Sequence, residues 1–149
     1  MIRNLLIPLF LFLGLINVHS YDPLFGDSLK ELDYEGIKQA LEMGADPNSI
    51  QGNQTAIDTV VSKLITADSS SIASLSKPKK ESHIISILRL LFDAGAHPTW
   101  NNRTIIQPCV FDGYNVVIAY LAGKGADVDN ASRNGHTALS LAYEYEQID

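Results

Sequence analysis

The sequence predicts an all-α protein, a solenoid of helix-turn-helix repeats, three to four in number, with an insertion in the second. Two observations predict it. Gly44-Ala45-Asp46-Pro47-Asn48 recurs as Gly95-Ala96-His97-Pro98-Thr99 and as Gly125-Ala126-Asp127-Val128-Asp129. Each copy closes an apolar run of helical character: Ile37–Met43, Ile84–Ala94 and Val116–Lys124. A second signature follows each copy after a polar turn: Thr55-Ala56-Ile57-Asp58, Thr104-Ile105-Ile106-Gln107 and Thr137-Ala138-Leu139-Ser140.

The two signatures in this order resemble the ankyrin repeat, whose first helix opens on Thr-Pro-Leu-His and whose second ends in Gly-Ala-Asp-Val-Asn. In a regular array of about 33 residues per repeat, Gly precedes the next Thr by about 12 positions and Thr precedes the next Gly by about 21. Here Gly125 to Thr137 is 12, Gly44 to Thr55 is 11 and Gly95 to Thr104 is 9. Thr104 to Gly125 is 21, but Thr55 to Gly95 is 40, an excess of 19 residues. The resemblance therefore implies an ankyrin domain over residues 21–149, with repeats at 21–51, 52–101 (insertion 66–81), 102–132 and a partial cap at 133–149. The sequence departs from the family at two positions in every copy. Ala56, Ile105 and Ala138 replace Pro, while Asp58, Gln107 and Ser140 replace the His that ties neighbouring repeats. A less regular, less stable stack is implied.

In the first repeat, Asp22-Pro23 supplies an N-cap and a first helical residue, with Leu24, Phe25, Leu29 and Leu32 as the apolar side. Tyr34, Ile37, Ala40 and Leu41 form the stripe of the second helix, and Gly44 supplies its left-handed close. Glu31, Asp33 and Glu35 face solvent. The second repeat opens on the turn Gln51–Gln54, with Thr55 as N-cap, and Ile57, Val60, Val61, Leu64 and Ile65 outrun a usual first helix. Residues 68–76 are Ser-rich and lead into Lys77-Pro78-Lys79-Lys80. They read as a flexible loop in which Pro78 blocks any helix, or as a protruding finger with a basic end that touches a partner. Ser82 is the expected cap of the helix Ile84–Phe92. The third repeat comprises Thr104–Val110 and Asn115–Ala122, with Gly113 at positive φ between them and Val116, Val117, Tyr120 and Leu121 as core candidates. The fourth runs from Arg133 into an abbreviated end helix.

The first twenty residues read as a secretory signal peptide. Arg3 is its positive region, Leu5–Ile16 its apolar run, and Val18-His19-Ser20 its cleavage signal, which predicts cleavage before Tyr21. An uncleaved anchor is the alternative, but a run of 12 is short of the roughly 20 residues a bilayer requires. Without Arg3, 10 Lys+Arg face 17 Asp+Glu, a formal charge of −7. That balance argues against nucleic acid and anionic lipid, and suits a basic protein partner. One cysteine excludes an intramolecular disulfide, so the fold must rely on its core. Cys109 reads as a buried, inert thiol. The short positive region and the lack of disulfides favour a bacterial periplasm. The sequons at Asn53, Asn102 and Asn130 are explained equally by turn and cap chemistry.

No catalytic, cofactor or metal site is expected. His83, His97 and His136 have no metal-ligand spacing, and no nucleophile elbow, P-loop or dinucleotide fingerprint is present. By resemblance, turn tips and the exposed side of each first helix form a concave protein-binding surface. On this chain that surface comprises Ser49, Ile50 and Gln51; Thr99, Trp100, Asn101, Asn102 and Arg103; and Arg133, Asn134 and His136, with Phe111, Asp112, Glu144 and Tyr145 from the helices. Trp and Arg dominate binding hot spots, although a shortened turn would equally let Trp100 cover the neighbouring helices. No stable membrane anchoring and no small-molecule substrate are expected. The resemblance implies an extracytoplasmic binding module, in one form an inhibitor or immunity protein masking a secreted toxin. A scaffold stabilising a periplasmic or envelope enzyme is the alternative.

Overall fold

The computed structural model describes residues 22–66, 72–98, 109–110, 112–127, 129, 135–137 and 140. Residues 1–20, expected to be a signal peptide, lie outside the described residues. The described chain is mostly helical, with five helices: α1 (Pro23–Glu31), α2 (Tyr34–Glu42), α3 (Ala56–Thr66), α4 (Lys77–Asp93) and α5 (Asn115–Gly123). The strands β1 (Ile50–Gln51) and β2 (Gln54–Thr55) form a minimal antiparallel hairpin, an addition to the all-α expectation. Among the described residues no helix is long and apolar enough to cross a membrane.

Packing is sequential. α1 lies against α2 and α3, α3 against α4, and α4 against both α2 and α5. Asp22 caps α1 as its position predicts, its Oδ1 accepting from Leu24 N–H (3.0 Å) and Phe25 N–H (3.3 Å). Phe25, Leu29 and Leu32 are buried, at i, i+4 and i+7. Leu24, expected beside them, is 43% exposed, because it falls about 100° around the helix from Phe25. Ser28 is buried instead. Val116 is corrected likewise: Tyr114, Val117 and Leu121 carry the inward face, which leaves Val116 56% exposed.

The three Gly-Ala copies close their helices with one geometry. α2, α4 and α5 each end two residues before the glycine. Gly44, Gly95 and Gly125 have φ of +97°, +93° and +90°, a region that costs a side chain but not glycine. The next N–H then reaches back into the last turn, from Ala45 to Ala40 O, Ala96 to Leu91 O and Ala126 to Leu121 O, at 2.9–3.0 Å. These satisfy carbonyls that would otherwise be orphaned at the helix end.

The insertion departs most from expectation. α4 is 17 residues long where α2 and α5 are 9, and the extra residues lie at its N-terminus. Ser82 is therefore inside the helix and Ser76 is its N-cap. Pro78 starts the helix rather than blocking it, because an N–H in the first turn has no intrahelical acceptor to lose. Ile72, expected in a loop or finger outside the stack, is fully buried, and Leu75 packs half-buried on the same core.

Replacing Ile72 with Ala should lower unfolding free energy by about 2–4 kcal/mol, the usual range for a buried Ile with partial collapse of its cavity. Urea denaturation measures it. A change under about 0.5 kcal/mol would return this segment to the surface.

Candidate functional site

Each turn tip is built by local polar chemistry. Asp46 Oδ1 accepts from Asn48 N–H at 2.8 Å, and Asp127 Oδ1 accepts from Asp129 N–H at 2.9 Å, so both copies bend through the same side-chain turn. Thr55 and Asp58 cap α3 reciprocally. Asp58 N–H donates to Thr55 Oγ1 at 3.1 Å, and Thr55 N–H donates to Asp58 Oδ2 at 3.0 Å. Thr137 and Ser140 repeat the exchange at 3.1 and 2.9 Å. Asp58 and Ser140 thus complete capping boxes.

Asn48 links two successive turns. Its Nδ2 donates to Gly95 O at 3.0 Å and its Oδ1 accepts from His97 N–H at 2.8 Å. Both groups of the amide are used, so the second Gly-Ala turn is set in register against the first. Between them the hairpin projects: Gly52 takes φ +64°, and Ile50 is 43% exposed. Gln51, expected at the free tip, is folded back. A Cβ on Gly26 would meet its side-chain amide at 2.6–2.9 Å, so the amide lies directly over Gly26 and would swing aside for a larger residue.

Of the other expected contact residues, Asp112 is exposed and His136 half-buried. Thr99, Trp100, Asn101, Asn102, Arg103, Phe111, Arg133, Asn134, Glu144 and Tyr145 lie outside the described residues. The described part of the surface is thus the first hairpin, its Asn48 link and the third inter-helix turn.

That third turn carries contacts the sequence did not signal. Lys77 Nζ donates to Asp112 O at 2.7 Å and sits 5.2 Å from the centroid of the Tyr114 ring. Glu81, 9% exposed, accepts from Val116 N–H at 3.3 Å and so serves the N-terminus of α5. From the same helix His83 Nε2 donates to Leu32 O at 2.9 Å. A carbonyl can only accept, which places the proton on Nε2. Lys77, Glu81 and His83 all belong to the extra residues of α4. Their only sequence trace, a Lys-Glu pair at i, i+4, is what any solvated helix face shows.

Cys109 is fully buried in this neighbourhood. Burial pushes its thiol up to about 12, with the charges of Asp112 and Glu81 adding to the effect. Tyr114 is raised first by burial and then by the charges of Asp112, Glu81 and Cys109. An electropositive setting activates a thiol, and here the setting is apolar and acidic, so no nucleophilic chemistry is supported. Among the described residues no group of three or more His, Cys, Asp and Glu could hold a metal ion.

Comparison with protein-family models, curated proteins and solved structures found no match to the chain.

Cys109 gives a pH dependence with a definite sign. Its folded pKa, about 12, exceeds the ordinary thiol value of 9.0, so the unfolded thiol ionises first. Its contribution is complete below about pH 9 and is lost as pH rises towards 12. Cys109→Ala should be less stable at neutral pH, through the lost sulfur contacts, yet show a shallower alkaline decline. Tyr114 leaves a residual slope. Equal slopes for the two proteins across that window would contradict the burial of the thiol.

Proposed function

We propose that the chain is an extracytoplasmic ankyrin-repeat module for protein–protein interaction, acting as an inhibitor or immunity protein that masks a partner such as a secreted toxin. The observation that carries it is the Asn48 link: successive Gly-Ala turns are joined side by side, and a polar hairpin is projected between the first and second helical units. Turns held in register by backbone-directed bonds make a continuous, pre-organised row, so contact residues placed on them lose little entropy on binding. The exported state rests on residues 1–20, and the basic character of the partner on the formal charge of −7 once they are removed. The exposed carboxylates of Asp27, Asp33, Glu35, Glu42 and Asp46 around α1 and α2 favour such a partner on that side.

By the sequence repeat alone, Trp100 and Arg103 fall in one turn and Arg133 in the next, and these three are the proposed anchors. Truncating a desolvated Trp anchor costs about 2 kcal/mol or more, roughly thirtyfold in affinity. With the partner captured by residues 21–149 from an extracytoplasmic extract, Trp100→Ala and Arg103→Ala should weaken binding by that order and leave the melting temperature nearly unchanged. If Trp100→Ala instead lowers the melting temperature with affinity intact, Trp100 is cover for the helices and the concave anchor is wrong.

A further inference from the structure

Charge is distributed unevenly along the chain. Seven carboxylates between Asp22 and Asp46 face only Lys30 and Lys38. α4 reverses the balance, with Lys77, Lys79, Lys80 and Arg89 against Glu81 and Asp93. On this helix a groove of about 390 Å³ opens between α4 and the start of α5. Pro78, Ile85 and the exposed Val116 give it apolar walls, while Ser82, Ser86 and Arg89 supply polar groups.

Two charged residues line the groove, and they differ in kind. Glu81 is 9% exposed and its carboxylate already accepts from Val116 N–H. Arg89 is exposed, and among the described residues no carboxylate pairs with it. Glu81 keeps its charge but is largely buried against the start of α5, so the exposed charge that an occupant meets is that of Arg89, with Lys79 on the neighbouring face of the helix beside it. Ile85 and Arg89 stand one helical turn apart, which places an apolar contact and a cation about 6 Å apart on one face.

We propose that this groove docks an acidic peptide segment of a partner protein, which lays an apolar side chain on Ile85 and Val116 and sets a carboxylate against Arg89. A helical segment meets both with residues at i and i+4, and an extended one with residues at i and i+2. A basic segment would meet Arg89 and Lys79 as like charges. The site lies on the second helices, away from the turn tips, and does not rest on the concave surface.

The test uses residues 21–149 and a short fluorescein-labelled peptide with Leu and Glu at helical spacing, beside the same peptide with Lys in place of Glu. Fluorescence anisotropy should show binding of the Leu/Glu peptide, weakened by added salt, and none of the Leu/Lys peptide. Arg89→Glu and Val116→Ser should each weaken the Leu/Glu peptide about tenfold or more, and Arg89→Glu should gain the Leu/Lys peptide. Lys38→Ala, an exposed cation on α2 outside the groove, should leave the affinity unchanged. The proposal is overturned if the Leu/Glu peptide does not bind, or binds both groove variants as it binds the parent. It is also overturned if Trp100→Ala abolishes binding, which moves the site to the turn tips. A concentration-dependent dimer lost in Val116→Ser would assign the groove to a second copy of the chain and overturn it as well.

Discussion

The N-terminal extension of α4 is the constraint on which the described fold depends. In α2 and α5 the second helix starts ten residues before its glycine; α4 starts eighteen before. The added turns reach sideways in both directions. His83 holds the carbonyl of Leu32, in the turn between α1 and α2. Lys77 and Glu81 hold the turn and helix start at Asp112 and Val116. Leu32 has φ +54°, costly for a residue with a side chain, and its full burial together with the His83 bond keeps it there. Gly113 occupies the equivalent place twelve residues before its own glycine, at φ +62°. The second unit has no such turn at that register, because His83 stands there within continuous helix. One helix thus replaces a turn and clamps the turns on either side.

Contacts lower on α4 extend the clamp. Phe92 and Tyr120 meet edge to face with centroids 6.0 Å apart, and Lys124 covers both rings. Beneath them Ile84, Ile87, Leu88 and Leu91 join Val117 and Leu121 in one continuous core with α1–α3. In a linear repeat array each unit contacts only its neighbours, so stability depends on every interface in turn. With α4 central and packed against both α2 and α5, breaking either interface exposes its buried face. The chain has a single thiol, so this packing stands where cross-links would otherwise serve.

Much of this was legible in the sequence, where the signal was local. Asp22-Pro23, Thr55 as an N-cap, and the glycines at 44, 95, 113 and 125 each act through bonds or dihedrals within a few residues, so residue type and spacing suffice. The partnership of Asp58 with Thr55 was not legible, because Asp58 reads as a substitute for a residue that ties neighbouring repeats. The interior misreadings had a common cause. Pro78 was read as a breaker because its meaning depends on whether the helix starts before or after it, and that choice is made by the burial of Ile72 and the bonds from Lys77 and Glu81. Those partners lie 35 residues away, beyond any periodicity. Leu24 and Val116 are apolar residues beside a correctly read stripe, where composition cannot separate adjacent helix faces. Of the candidate site, the Asp46–Asn48 turn was legible as a motif. The second role of Asn48, gripping the backbone at Gly95 and His97, needs the packed units to exist first.

α4 couples the helical units into one cooperative structure. Native-state hydrogen exchange with increasing denaturant, on the protein and on Glu81→Ala, tests it most directly. In the parent, the slowest amides of α2, α4 and α5 should converge on one opening free energy. In Glu81→Ala, α5 should open separately and at lower free energy while α2 and α4 stay together. If α5 already opens independently in the parent, or if Glu81→Ala leaves all three helices on one unchanged curve, the clamp does not hold the fold together.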